Sequence, residues 1–169
     1  MDEAVIGLNL CPFARSVQMG NRVRYVVSTA RTSAELLSTL EAELLLLQQT
    51  PIDVVETTLL VHPWVLNAFR DYNDFLGDAD DLIVALALDG ELQIASFHPD
   101  YQFAGTAASD ISNYTNRSPY PTLHLLRESS VLRATESMPD TGVIYEANLL
   151  TLTALGLEGW HALGLSAHD

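Results

Sequence analysis

The chain has 169 residues with one cysteine; 48% are hydrophobic and 18% charged, a balance that fits one globular domain with a real core and excludes a disordered chain. Eight basic residues, all arginine, face 22 acidic ones for a formal charge of −14, a field that disfavours nucleic acid and anionic membranes as partners. A lone cysteine excludes an internal disulfide, and no apolar run approaches the roughly 18 residues of a membrane span. The start Met1-Asp2-Glu3 lacks the basic segment of a signal peptide. A cytoplasmic protein is therefore expected.

Residues 4–17 are apolar at helical spacing and are interrupted by Cys11-Pro12, where a new helical turn is expected to start. Residues 22–28 alternate and read as a strand. Thr32 or Ser33 can cap the next helix, which carries Leu36, Leu37, Leu40, Leu44 and Leu47 on one face as far as Gln49. The run Thr57 to Val61 is a buried strand that stops at His62-Pro63, because proline cannot continue a ladder. Strand, helix and strand make a βαβ unit with parallel strands.

Residues 64–75 have helical spacing. Residues 82–88, followed by Asp89-Gly90, fit either a helix stopped by Gly90 or the first arm of a hairpin. Their Ala and Leu content favours the helix. Leu92 to Phe97 then repeats the earlier pattern and stops at His98-Pro99. With a helix between them, His62 and His98 emerge together at the carboxyl edge of one sheet, where open α/β folds place ligands.

The segment after His98 is loop-rich for about twenty residues, with a short helix expected near Ser109 or Asp110. Ser118-Pro119-Tyr120-Pro121 punctuates the chain before Thr122, read as the cap of a helix carrying Leu123, Leu126, Val131 and Leu132. After Pro139-Asp140-Thr141, a last amphipathic helix spans 143–155 and is ended by Gly156, and Trp160 is expected to pack back on the body.

The candidate chemistry follows from this layout. His62 and His98 can act as acid and base. They can also ligate a divalent metal such as zinc, with His124, Asp71, Asp74 or Asp100 as third donor, although the spacing matches no named zinc motif. Equally, each imidazole can cap its strand by hydrogen-bonding the backbone of the next loop. Cys11, if it caps a helix beginning at Pro12, faces the positive end of the dipole and is a candidate nucleophile. The alternative is a small buried hydrophobe. Asp71 and Asp74 share a helix face, either as a carboxylate pair or as a solvated surface.

Asn73, Tyr101, Gln102, Asn113, Asn116 and Arg117 supply donors suited to orienting a substrate. Arg117, His124 and Arg127 together could hold an anion, the last two lying three apart on one helical face. A network pinning a long loop explains the same residues.

The strings Gly7-Leu8-Asn9-Leu10-Cys11-Pro12-Phe13-Ala14, Asp71-Tyr72-Asn73-Asp74-Phe75-Leu76 and Gln93 to Thr106 resemble the bacterial family catalogued as domain of unknown function 1415. Asn113 to Pro121 and Leu123-His124-Leu125-Leu126-Arg127-Glu128 extend the resemblance over nearly the whole chain. It implies that these polar strings are family signatures, and that members carry more residues before the first motif. It brings no reaction, ligand or catalytic residue.

The reading is a single α/β domain over residues 1–169, with a small, mainly parallel sheet of three or four strands packed by helices. Two functions stay open. One is an enzyme acting on a small anionic molecule with His62, His98 and Cys11 in catalytic roles. The other is a non-catalytic ligand-binding or protein-assembly module using the same pocket. The oligomeric state is not legible.

Overall fold

The computed structural model describes residues 2–136 and 142–165. The expected punctuation at Pro139-Asp140-Thr141 lies outside them. After a wide helical turn at Asp2–Ile6, the elements are α1 (Ala14–Met19), β1 (Val23–Val27), α2 (Ser33–Gln49), β2 (Thr57–Val61), α3 (Phe69–Ala85) and β3 (Leu92–Phe97). A short 3-10 helix (Ile111–Thr115), β4 (Thr122–Arg127), α4 (Glu128–Glu136) and α5 (Gly142–Ala162) complete them.

The four strands form one sheet in the order β1-β2-β4-β3. β1 and β2 are parallel, while β4 runs antiparallel to both β2 and β3. The sheet is thus mixed rather than mainly parallel. The correction has one source: Thr122 opens a strand, not a helix. Leu123 and Leu125 alternate with Thr122 and His124, so two leucines reach full burial with period two, and the helix starts only at Glu128. Of residues 82–88, the first four are helical as the end of α3, which stops at Ala85 rather than at Gly90, and no hairpin arm forms there.

One face of the sheet shares the main core with α2 and α3. From α2, Leu36, Leu40, Leu44 and Leu47 are fully buried, as are Leu60, Leu123 and Leu125 from the strands. Each such side chain contributes about 1.5–3 kcal/mol of burial. Thr32 and Glu35 cap α2 reciprocally, as a residue accepting from N3 and one reaching back to the cap must. Arg24 reaches from β1 to Glu43 on α2 through two hydrogen bonds of 2.7 and 3.0 Å.

A smaller cluster joins Leu10, Tyr114 and Leu152, and Trp160 meets Tyr114 edge-on at 5.2 Å, so the tail does pack back on the body. Gly156 interrupts α5 at φ 65°, which is where its first half ends. No helix among the described residues is long and apolar enough to cross a membrane.

Candidate functional site

His62 and His98 stand where their strands end, and proline stops each ladder one residue later. The His62 N–H still reaches the Pro121 carbonyl (3.0 Å) and the His98 N–H the Asn116 carbonyl (3.2 Å). Because β2 and β3 run the same way on either side of β4, both imidazoles reach the same edge, and both are fully buried. Tyr72 of α3 touches both rings. It stacks on His62 with centroids 5.8 Å apart and 14° between planes, and lies tilted against His98 at 5.1 Å. Phe69 adds a further ring at 5.4 Å from His98 and 5.2 Å from Tyr101.

The Tyr72 hydroxyl donates to the Thr122 carbonyl (2.9 Å) and accepts the Phe97 N–H (3.0 Å), so it bridges β3 and β4 where their pairing ends. Burial pushes this phenol above its ordinary range.

A carbonyl only accepts, so the ring nitrogens that face one must carry the proton. His62 Nδ1 therefore donates to the Val65 carbonyl at 3.1 Å, leaving Nε2 with a lone pair that meets no partner among the described residues. His98 Nε2 donates to the Leu66 carbonyl at 3.2 Å, while its Nδ1 accepts the Asp100 N–H at 3.0 Å. Burial lowers the pKa of His62 to about 4, further assisted by His98 nearby, and burial also lowers that of His98. Both rings are neutral at pH 7.

The two histidines thus grip successive carbonyls of one loop. Leu66 in that loop sits at φ 59°, a left-handed conformation that costs a leucine about 1–2 kcal/mol. The same loop lifts Trp64 to 53% exposure, and the Arg31 guanidinium lies 4.8 Å from its ring centroid.

The polar segment after His98 turns its donors inward. Asn113, fully buried, accepts from the Phe103 N–H and the Thr106 hydroxyl and donates to the Ala107 carbonyl, each at 2.9 Å. Asn116 donates to the Ser96 carbonyl (3.1 Å) and Gln102 to the Thr106 carbonyl (2.6 Å). Arg117 donates to the carbonyls of Tyr101 and Ala108, and its guanidinium lies 4.2 Å over the Tyr114 ring. These are the bonds of a loop holding its own shape.

The expected anion trio is not assembled. On β4, successive side chains alternate between faces, so His124 points away from the core face that holds Leu123 and Leu125. His124 Nε2 lies 2.7 Å from the Thr57 hydroxyl, whose own proton goes to the Leu125 carbonyl, and burial lowers its pKa to about 4. Arg127 pairs in register with Leu92 at the start of β3, the opposite end of the sheet from His98. There it donates to the carbonyls of Leu47, Thr50 and Val55, closing the end of α2. The shared helical face expected for His124 and Arg127 does not exist because the segment is a strand.

His124 is likewise not brought to His62 and His98, and among the described residues no three His, Cys, Asp or Glu side chains are grouped to hold a metal ion. Asp71, Asn73 and Asp74 are exposed on α3, away from the buried Tyr72 side, and Asp100 is exposed beyond His98. Cys11 is half-buried but is not a helix cap: α1 begins at Ala14, with Phe13 at its cap and the Cys11 carbonyl accepting the Ala14 N–H at 3.2 Å.

The residues that sequence reasoning missed are Tyr72, noted only within the helical spacing of 64–75 and a family string, and the pair Trp64 and Arg31. Their available signal was position alone: Trp64 follows His62-Pro63 directly, and Arg31 immediately precedes the α2 cap.

Comparison with curated proteins gave no match, and neither did comparison with solved structures. Residues 1–162 match the model of the family described as Protein of unknown function (DUF1415), and the chain belongs to that family.

Proposed function

We propose that this chain is a non-catalytic protein-binding module that presents Trp64 and Arg31 at the carboxyl edge of its sheet. The observation that carries this reading is the loop between β2 and α3. It is held through two carbonyls by buried, neutral histidines, with a leucine in left-handed backbone at its centre. Strain of this kind persists only where the surroundings over-determine it, and it concentrates at functional positions. Tryptophan and arginine are the residue types that most often anchor protein interfaces. A rigid frame lowers the ordering cost of binding through them.

Selection of peptides from a display library tests the reading. Peptides enriched on the native protein should bind Trp64→Ala and Arg31→Ala about tenfold or more weakly, and Tyr145→Ala no differently. Enriched peptides indifferent to both substitutions would remove the proposal.

A second reading, an enzyme acting on a small anionic molecule, draws on one observation: the unpartnered lone pair of His62 Nε2, a base in waiting beside Tyr72. Turnover of any small acid that disappears in His62→Gln, in a variant that still folds, would put this reading first.

A further inference from the structure

On the helical side of the molecule, α2 and α3 leave a groove of about 490 Å³ between them. Its floor is apolar, from Leu37, Phe75 and Leu82 with the small side chains of Ala34 and Ala85, and Asp78 and Asp81 form its rim. The rim continues a pattern along α3. Asp71, Asp74, Asp78 and Asp81 recur at steps of three and four, the spacing that places side chains in one stripe of a helix. None of these four carboxylates makes an ion pair among the described residues, whose ion pairs involve only Glu43 and Glu56 as acids.

Like charges at this spacing oppose each other on an isolated helix by about 0.2–0.5 kcal/mol per pair. Here Asp78 and Asp81 line an apolar trough, Asp71 and Asp74 extend the stripe beyond it, and on α3 Arg70 is the one basic residue.

We infer that this groove seats a basic amphipathic helix of a partner protein, its apolar face on Leu37, Phe75 and Leu82 and its lysines or arginines against the aspartate stripe. Charge complementarity selects this occupant. A second copy of this chain would bring a second charge of −14 against an acidic rim. The binding mode is the helix-in-groove one, in which residues at i, i+3, i+4 and i+7 supply the anchors. The groove stands independently of the Trp64 surface, so either can fail without the other.

The probe is a fluorescent leucine–lysine amphipathic peptide about 15 residues long, with a scrambled peptide of the same composition beside it. Anisotropy titrations should give tighter binding of the amphipathic peptide than of the scrambled one. The double variant Asp78→Asn with Asp81→Asn should bind about tenfold or more weakly. So should Ala85→Trp, which fills the trough from an exposed position. Should that variant not fold, Ala34→Trp on the facing helix blocks the same space. A charge-matched control, Asp53→Asn with Asp89→Asn, both exposed and outside the groove, should bind within about twofold of the native protein.

Equal loss in the control and rim variants would reduce the effect to bulk charge and overturn the inference. So would equal binding of the scrambled peptide, or indifference to both tryptophan variants. Self-association of the native protein that Ala85→Trp abolishes would give the groove to a second copy and overturn it as well.

Discussion

A proton added to His62 would have to settle on Nε2, where no acceptor waits, because Nδ1 already donates to Val65. For His98 the second proton evicts the Asp100 N–H from Nδ1. Folding therefore holds both rings in the neutral form, and their pKa values lie below that of an unfolded histidine. A depressed histidine pKa means that the unfolded chain binds more protons, so stability is whole above about pH 6.5 and is lost as pH falls toward 4. His62 contributes on the order of 3 kcal/mol to that loss, and His124, held near 4 on the other face of the sheet, a similar amount. Urea unfolding at pH 7, 6, 5 and 4 should show a falling midpoint, and His62→Gln should flatten the fall. A midpoint constant from pH 7 to 5 in the native protein would contradict neutral burial.

The paired His-Pro endings were legible because proline's missing N–H is a local fact, and the shared edge followed once the segment between them was read as a helix. What the rings do there was not legible. It depends on Val65 and Leu66 presenting their carbonyls, and nothing in those residue names shows it.

Among the elements, α3 carries an avoidable strain at its end. After the C-cap Leu86, Ala87 adopts φ 56°, the left-handed conformation that glycine commonly supplies at helix ends. Ala87 is exposed, so its methyl group offers little packing in return. Ala87→Gly should stabilise the protein by about 0.5–1 kcal/mol, seen as a higher thermal midpoint. An unchanged or lower midpoint would mean that the position is not left-handed in solution.

The α2 helix was readable from its leucine spacing and its cap, both of which lie within a few residues. β4 was not. Thr122 to Arg127 holds Leu123 and Leu126 at helical spacing as well as Leu123 and Leu125 at strand spacing, and leucine favours helices when isolated. The pairing of β4 with β2 and β3 decided the matter, and a partner strand lies beyond any local window. The reversal of β4 then undid the anion trio, since a strand sends His124 and Arg127 to different faces.

For the molecule as a whole, charge is the dominant global fact. At −14, with three ion pairs among the described residues, self-repulsion opposes the compact state and is felt over about 10 Å at 0.1 M salt. Raising sodium chloride from about 10 to 150 mM should lift the thermal midpoint by about 2–4 °C, because screening relieves more repulsion than attraction. A midpoint that falls with salt would show the few pairs outweighing the net field.

The place of β4 in the middle of the sheet also orders events during synthesis. β3 leaves the ribosome with no strand to join, because β4, its neighbour, is made later, and the bond from Thr57 to Leu125 closes a separation of 68 residues. Until that late strand slides in, Leu60 and Ile94 flank an open seam. Contacts of such long range make folding slow, and an open seam invites mispairing. The newborn chain is thus most exposed to aggregation in the interval between completing residue 97 and completing residue 127.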